Sequence, residues 1–280
     1  MKQKMLLCIV SCWFATMICA LELETVTIAI LAKDKAHTLD WYLRCIEAQT
    51  WPKELTRLYI RTNNNTDNTA SVLRTWVEKN RNAYAEIFFD DSDVTEQVQQ
   101  YKQHEWNTVR FKVLGKIRQD SVAWAARRGS HYFVADCDNF IKPHTIEVLV
   151  RSGLPIVAPF LRCGEDTCYS NYHSHIDENG YFIGEPMYYM IFRREVTGFI
   201  QVPVVHCTYL IRNEALAGVC YDDDSYRYEY VIFSDCARKA GIPQYFDNRE
   251  LYGRITMTED REAFEREPWY AELAGYVAKN

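Results

Sequence analysis

The stretch "YFVADCDNFI", Tyr132–Ile141, decides the reading of this chain. Tyr132, Phe133, Val134 and Ala135 form an unbroken apolar run, as in a buried strand. The run stops at two carboxylates, Asp136 and Asp138, one residue apart. On an extended chain residues i and i+2 point to the same side. The two carboxylates are therefore expected to converge, with Cys137 turned to the other face. Hard oxygen donors beyond a strand end suit Mg²⁺ or Mn²⁺, whose open positions substrate phosphates fill. The competing reading is a strand that stops in a polar turn, with Asp138 and Asn139 capping the next element. An Asp-x-Asp triplet alone does not separate the two.

Working back toward the amino terminus, "TVTIAILAK" (25–33), "LTRLYIRTN" (55–63) and "AEIFFDD" (85–91) read as strands rich in β-branched and aromatic residues. Between them, "HTLDWYLRCIEAQ" and "DNTASVLRTWVEKN" carry apolar residues at helical spacing, and 105–128 reads as a further helix. This alternation implies an α/β fold with a mostly parallel central sheet and helices on both faces. Ligands of such sheets bind beyond the carboxyl ends of the strands. After Asn139 the alternation loosens. "IEVLVRS" reads as helix and "LPIVAPFLR" as strand, "FIQVPVVHCTYLIR" as strands of a smaller mixed-sheet region, and "YRYEYVIFSDCARKAG" as an amphipathic helix. No Pro/Gly/Ser-rich linker interrupts residues 21–280, so a single domain is expected there.

The bulk composition, 48% hydrophobic and 25% charged over 280 residues, is that of a globular protein. A net charge of −6 and the lack of a basic stripe argue against nucleic acid as a partner. Nineteen tyrosines and seven tryptophans serve either a core or a surface that stacks on sugars and bases. Residues 1–20 differ from the rest: Lys2 and Lys4 precede a short apolar run ending at Ala20. This reads as a secretory signal peptide, with no stable membrane span once it is cleaved. An oxidising compartment would let some of the remaining cysteines pair, and Cys163 and Cys168 flank a short loop suited to closure. Asn64-Asn65-Thr66 is a glycosylation triplet.

Other polar residues cluster at expected strand ends. Lys33 and Asp34 follow the first strand, with His37 soon after; Asp67 follows the second. An aspartate there holds a ribose or base edge, or else caps a helix.

The ordered set "TIAILAKDKAHTL", "DNTASVLRTWV", "KIRQ", "YFVADCDNFI", "IVAPFL", "YSNYH", "VPVVHCTYLI" and "ELYG" resembles the amino-terminal glycosyltransferase domain of the procollagen galactosyltransferase and cerebral endothelial cell adhesion molecule family. It spans about Thr25 to Gly253. The resemblance implies a GT-A fold, a UDP-sugar donor, a divalent cation (Mn²⁺ or Mg²⁺), and transfer to hydroxylysine of collagen-like chains in the endoplasmic reticulum. Carried over by motif, Asp136 and Asp138 would hold the cation. Ala32, Lys33, Asp34, His37 and Asp67 would lie near the nucleotide. Lys116 and Arg118 would neutralise phosphate or hold the donor sugar, or are solvated charges on a helix. His206 faces a sugar, or is a satisfied buried histidine. An inverting displacement needs a carboxylate base; Glu229 is the first candidate and Asp224 the second, on position alone. Two departures stand out. "GRITMTED" follows "ELYG" where the family tends to have a histidine, and "YRYEY" stands where it has paired aspartates. They favour the alternative of a catalytically inactive GT-A-fold binding or adhesion protein. A nucleotidyltransferase ranks last, because "AKDKAH" has no glycine to cradle phosphate.

Overall fold

The apolar runs are the strands of one sheet, and their placement explains their composition. The computed structural model describes residues 24–96, 107–164, 167–223 and 225–278. Its first half alternates as β1 (Val26–Ala32), α1 (Ala36–Glu47), β2 (Thr56–Thr62), α2 (Thr69–Asn80), β3 (Glu86–Asp90), α3 (Thr108–Ala126) and β4 (His131–Ala135). These four strands lie in the order β3-β2-β1-β4, all parallel. Every residue of β4 is buried, as is all of β1 except the half-buried Leu31. That is why neither strand alternates apolar with polar. The chain winds outward from β1 to β3, and α3 then carries it back to the other side of β1. The strand order therefore reverses between β1 and β4, where an open α/β sheet leaves a crevice at its carboxyl edge.

The second half runs β5 (Asn139–Ile141), α4 (Thr145–Arg151), β6 (Ile156–Pro159), β7 (Leu161–Cys163), β8 (Tyr172–His173), α5 (Pro186–Phe192), β9 (Phe199–Val202), β10 (Val204–Val205), β11 (Thr208–Ile211), α6 (Glu229–Lys239), β12 (Gln244–Asp247), β13 (Gly253–Ile255), α7 (Arg261–Glu265) and α8 (Leu273–Val277). β11 inserts antiparallel between β4 and β6; β12 and β9 complete the eight-stranded sheet. The expected mixed region is present as a β5-β13-β7 sheet and a β10-β8 pair.

Two expectations are corrected. "LPIVAPFLR" is two strands in different sheets. Pro159 has no N–H to continue a ladder, and the next residue, Phe160, bonds Asp247 and Tyr252 through its backbone instead. Cys163 and Cys168 do not pair: both are free, Cys163 buried on β7 and Cys168 exposed. The disulfide joins Cys220 to Cys236, tying the loop after β11 to α6.

The aromatic abundance is largely core. Tyr42, Tyr132, Tyr172, Tyr209, Tyr221 and Tyr252 are fully buried. Their hydroxyls find partners, as burial requires. Tyr42 donates to the Ala135 carbonyl at the end of β4 (2.9 Å), and Tyr209 and Tyr221 bond each other (2.7 Å). Gly115 sets how closely α3 approaches, since a Cβ there would meet the Tyr221 carbonyl oxygen at 2.5 Å.

Candidate active site

A cleft of ≈ 250 Å³ opens where β1 and β4 end. One wall is a face of α3 made by Arg110, Val113, Leu114, Ile117 and Arg118, whose spacing of three and four puts them on one side of a helix. Asp136, Cys137, Asp138 and Asn139 form the floor. Lys33, Asp34, Lys35 and Asn63 form the rim beyond β1 and β2, and Tyr169, Cys207, Ile255 and Met257 close the far side.

The two carboxylates converge, but not through strand pleating. β4 ends at Ala135, and Asp136–Asn139 is a tight turn in which the Asn139 N–H bonds the Asp136 carbonyl at 2.8 Å. The flanks fix this turn: Asp136 N–H donates to the Cys207 carbonyl (3.0 Å), and Thr256 N–H to the Asp138 carbonyl (3.0 Å). Asp34 and Cys207, both on the cleft, hold positive φ of 52° and 61°. A non-glycine residue in that region costs energy and is found disproportionately where a site demands a geometry.

Each carboxylate has its own counter-ion. Arg118 Nη2 lies 2.7 Å from Asp136 Oδ1, and Lys35 Nζ 2.7 Å from Asp138 Oδ2. Arg118 Nε also faces Glu229 Oε1 at 3.6 Å, and both of these side chains are buried. Enclosure raises the Asp136 pKa; Arg118 pulls it down, Asp138 adds to the rise, and the net shift is upward. Burial works against the charge on Lys35, but Asp138 outweighs it and holds the lysine above its usual value. Burial also lifts Glu229 to about 7 against the pull of Arg118.

The donor set fits a hard divalent cation. Asp136 and Asp138 keep 31% and 18% of their side chains exposed. One oxygen of each takes no hydrogen bond among the described residues. No group of three or more His, Cys, Asp or Glu is placed to hold a metal among the described residues, so the fit rests on the Asp136 and Asp138 pair. Two carboxylates, completed by water and phosphate, suffice for Mg²⁺ or Mn²⁺.

Residues 23–266 match the model of glycosyltransferase family 25, N-terminal domain. The chain belongs to glycosyltransferase family 25. This family 25 chain is 32% identical over 245 residues to human procollagen galactosyltransferase 2, covering 84% of this chain and 39% of that protein. It is 28% identical to a Bos taurus protein named probable inactive glycosyltransferase 25 family member 3, covering 84% and 41%. The chain thus spans less than half the length of the curated relatives it matches. In structure it is similar to Staphylococcus aureus TarS 1–349 in complex with UDP-GlcNAc, with a TM-score of 0.54 at 12% identity over 90% of this chain and 65% of that one. The fold is GT-A.

The family 25 site gathers some of the expected residues and leaves others outside. Lys33 and Asp34 line the cleft and pair with each other. Asp34 Oδ1 also accepts from the Thr66 N–H at 2.6 Å. Arg118 is in the wall; Lys116 is exposed and does not line the cleft, two residues along the same helix. Ala32 is buried at the end of β1. His37, on α1, bonds the Thr258 carbonyl (2.9 Å), and burial lowers its pKa. Asp67 accepts from the backbones of Ala36 and Thr69, both at 2.9 Å, and so ties the starts of α1 and α2 together. His206 is buried behind Cys207, its Nδ1 2.9 Å from the Cys207 sulfur, and burial drives its pKa well down. Glu229 does not line the cleft, because Arg118 stands between. Asp224 lies outside the described residues, as do residues 1–20. Lys35, Tyr169 and Cys207 line the site without having been expected there. Lys35 had a signal, being two residues from Lys33 in the same strand-end loop.

Proposed function

We propose that this domain is a metal-dependent glycosyltransferase that moves galactose from UDP-galactose to a protein hydroxyl such as collagen hydroxylysine, with inversion. The observation that carries this reading is the convergence of Asp136 and Asp138 on the cleft at the point where the order of a GT-A sheet reverses, one oxygen of each taking no hydrogen bond among the described residues. The name of the human relative supports galactose and a collagen acceptor. Asp136 and Asp138 would hold Mn²⁺ or Mg²⁺, which supplies charge neutralisation for a departing diphosphate. Lys33, Asp34 and Asn63 would border the nucleotide, and Arg118 would keep Asp136 ionised and aimed. Glu229 is assigned to holding Arg118, since its buried carboxylate faces that guanidinium and does not line the cleft. The same reading places the chain in the secretory pathway, in the endoplasmic reticulum lumen or beyond it. Among the described residues no helix is long and apolar enough to cross a membrane.

A second reading, a binding protein without turnover, is favoured by the relatives named inactive and by the internal pairing of both carboxylates. The test incubates the protein with a UDP-sugar panel, Mn²⁺ and a hydroxylysine-containing collagen peptide. The transferase reading expects UDP release and a peptide heavier by one hexose. UDP binding without transfer to any acceptor tried would favour the second reading.

A further inference from the structure

We propose that Lys35 is an exchangeable counter-ion: it occupies Asp138 when the cleft holds no nucleotide, and turns to the diphosphate when a divalent cation takes its place. The inference rests on the nucleotide-sugar reading above. The two cations are held in different ways. Arg118 projects from the middle of a long helix, is almost fully buried, and is clamped between Asp136 and Glu229. A buried guanidinium hydrogen-bonded to Asp136 and packed beside Glu229 has little room to swing.

Lys35 is held mainly through its backbone, with a single side-chain hydrogen bond among the described residues. Its N–H donates to Thr69 Oγ1 at 2.7 Å, and its carbonyl accepts from Thr38 and Leu39 at the start of α1, both at 3.0 Å. The side chain lines the cleft, and its only hydrogen bond among the described residues goes to Asp138 Oδ2. An ammonium carries three donors on a flexible four-carbon stem. It can leave Asp138 while the loop stays still.

The electrostatics then give an order of events. With Lys35 in place, a cation approaching Asp138 meets a like charge at hydrogen-bond distance from its ligand. With Lys35 displaced, Asp138 offers both oxygens, whereas Asp136 keeps one on Arg118. Asp138 is therefore the stronger cation ligand of the pair. The displaced ammonium needs a new anion, and a phosphate beside the same rim provides one as a point-charge contact. Cation and nucleotide each remove the obstacle to the other, so their binding is cooperative in both directions.

The test is titration of the full chain with Mn²⁺ alone, followed by electron paramagnetic resonance of free Mn²⁺, and calorimetry with UDP at saturating Mn²⁺. Lys35→Met, with Lys35→Gln as a second variant should the first fold poorly, is expected to bind Mn²⁺ alone about tenfold more tightly than wild type. It should bind UDP with Mn²⁺ about tenfold more weakly. Lys35→Arg, which keeps the charge, should leave binding of Mn²⁺ alone as weak as in wild type. If both neutral variants bind Mn²⁺ alone as wild type does, while UDP binds normally, the role of Lys35 is overturned and the nucleotide-sugar reading stands. If wild type binds no UDP at any Mn²⁺ concentration, both are overturned.

Discussion

Arg118→Met is expected to destabilise the protein by about 3–5 kcal/mol, the range for removing one partner of a buried ion pair. For a chain of this size that corresponds to a thermal midpoint lower by roughly 10 °C. Arg118 faces Asp136 at 2.7 Å and Glu229 at 3.6 Å, and the substitution strands both carboxylates. Protonation relieves them, so the deficit should shrink as the pH is lowered. Adding Glu229→Gln to Arg118→Met removes one stranded charge and should recover part of the loss, a coupling of about 1–3 kcal/mol in a double-mutant cycle. Thermal and urea unfolding of the four proteins measure it. A deficit under about 1 kcal/mol would mean that Arg118 behaves like an exposed ion pair.

The second large effect is the part of the pH dependence that Glu229 contributes. Burial raises its folded pKa to about 7, well above the usual carboxylate range near 4.5. A raised folded pKa stabilises the fold fully below the unfolded value, and that contribution is lost as the pH climbs through the folded value. Wild type should therefore lose about 3 kcal/mol relative to Glu229→Gln between about pH 4.5 and pH 8. Urea titrations of the two proteins across that window give the difference directly. Because Glu229 is assigned to Arg118 and not to the acceptor, Glu229→Gln should also keep UDP affinity close to wild type. A stability gap that does not change with pH would show that Arg118 keeps Glu229 ionised throughout.

The parallel half of the fold was legible because its signals are local. The continuous apolar runs of β1 and β4 and the helical periodicity between them determine a parallel block, and the carboxyl-edge rule then points to Asp136 and Asp138. What could not be read depends on long-range placement. The insertion of β11 beside β4 brings Cys207 to Asp136, although the two are far apart in sequence. The break at Phe160 sends one apolar stretch into two sheets. Glu229 read as a free late carboxylate because nothing in "YRYEY" reveals that its helix begins against Arg118. Asp67 read as a ligand-binding candidate or a cap, and in the structure it caps two helices at once. Lys33 and Lys35 are indistinguishable by composition; only the fold shows that Lys33 pairs with its neighbour Asp34 while Lys35 reaches across to Asp138.

The most direct test is calorimetric titration of the protein with UDP, with and without Mn²⁺, beside Asp136→Ala/Asp138→Ala. Binding that requires Mn²⁺ in wild type and disappears in the folded double variant is the predicted result. UDP binding that survives the double substitution, or no binding by a well-folded wild type, would contradict the assignment of this cleft to a metal-held nucleotide-sugar.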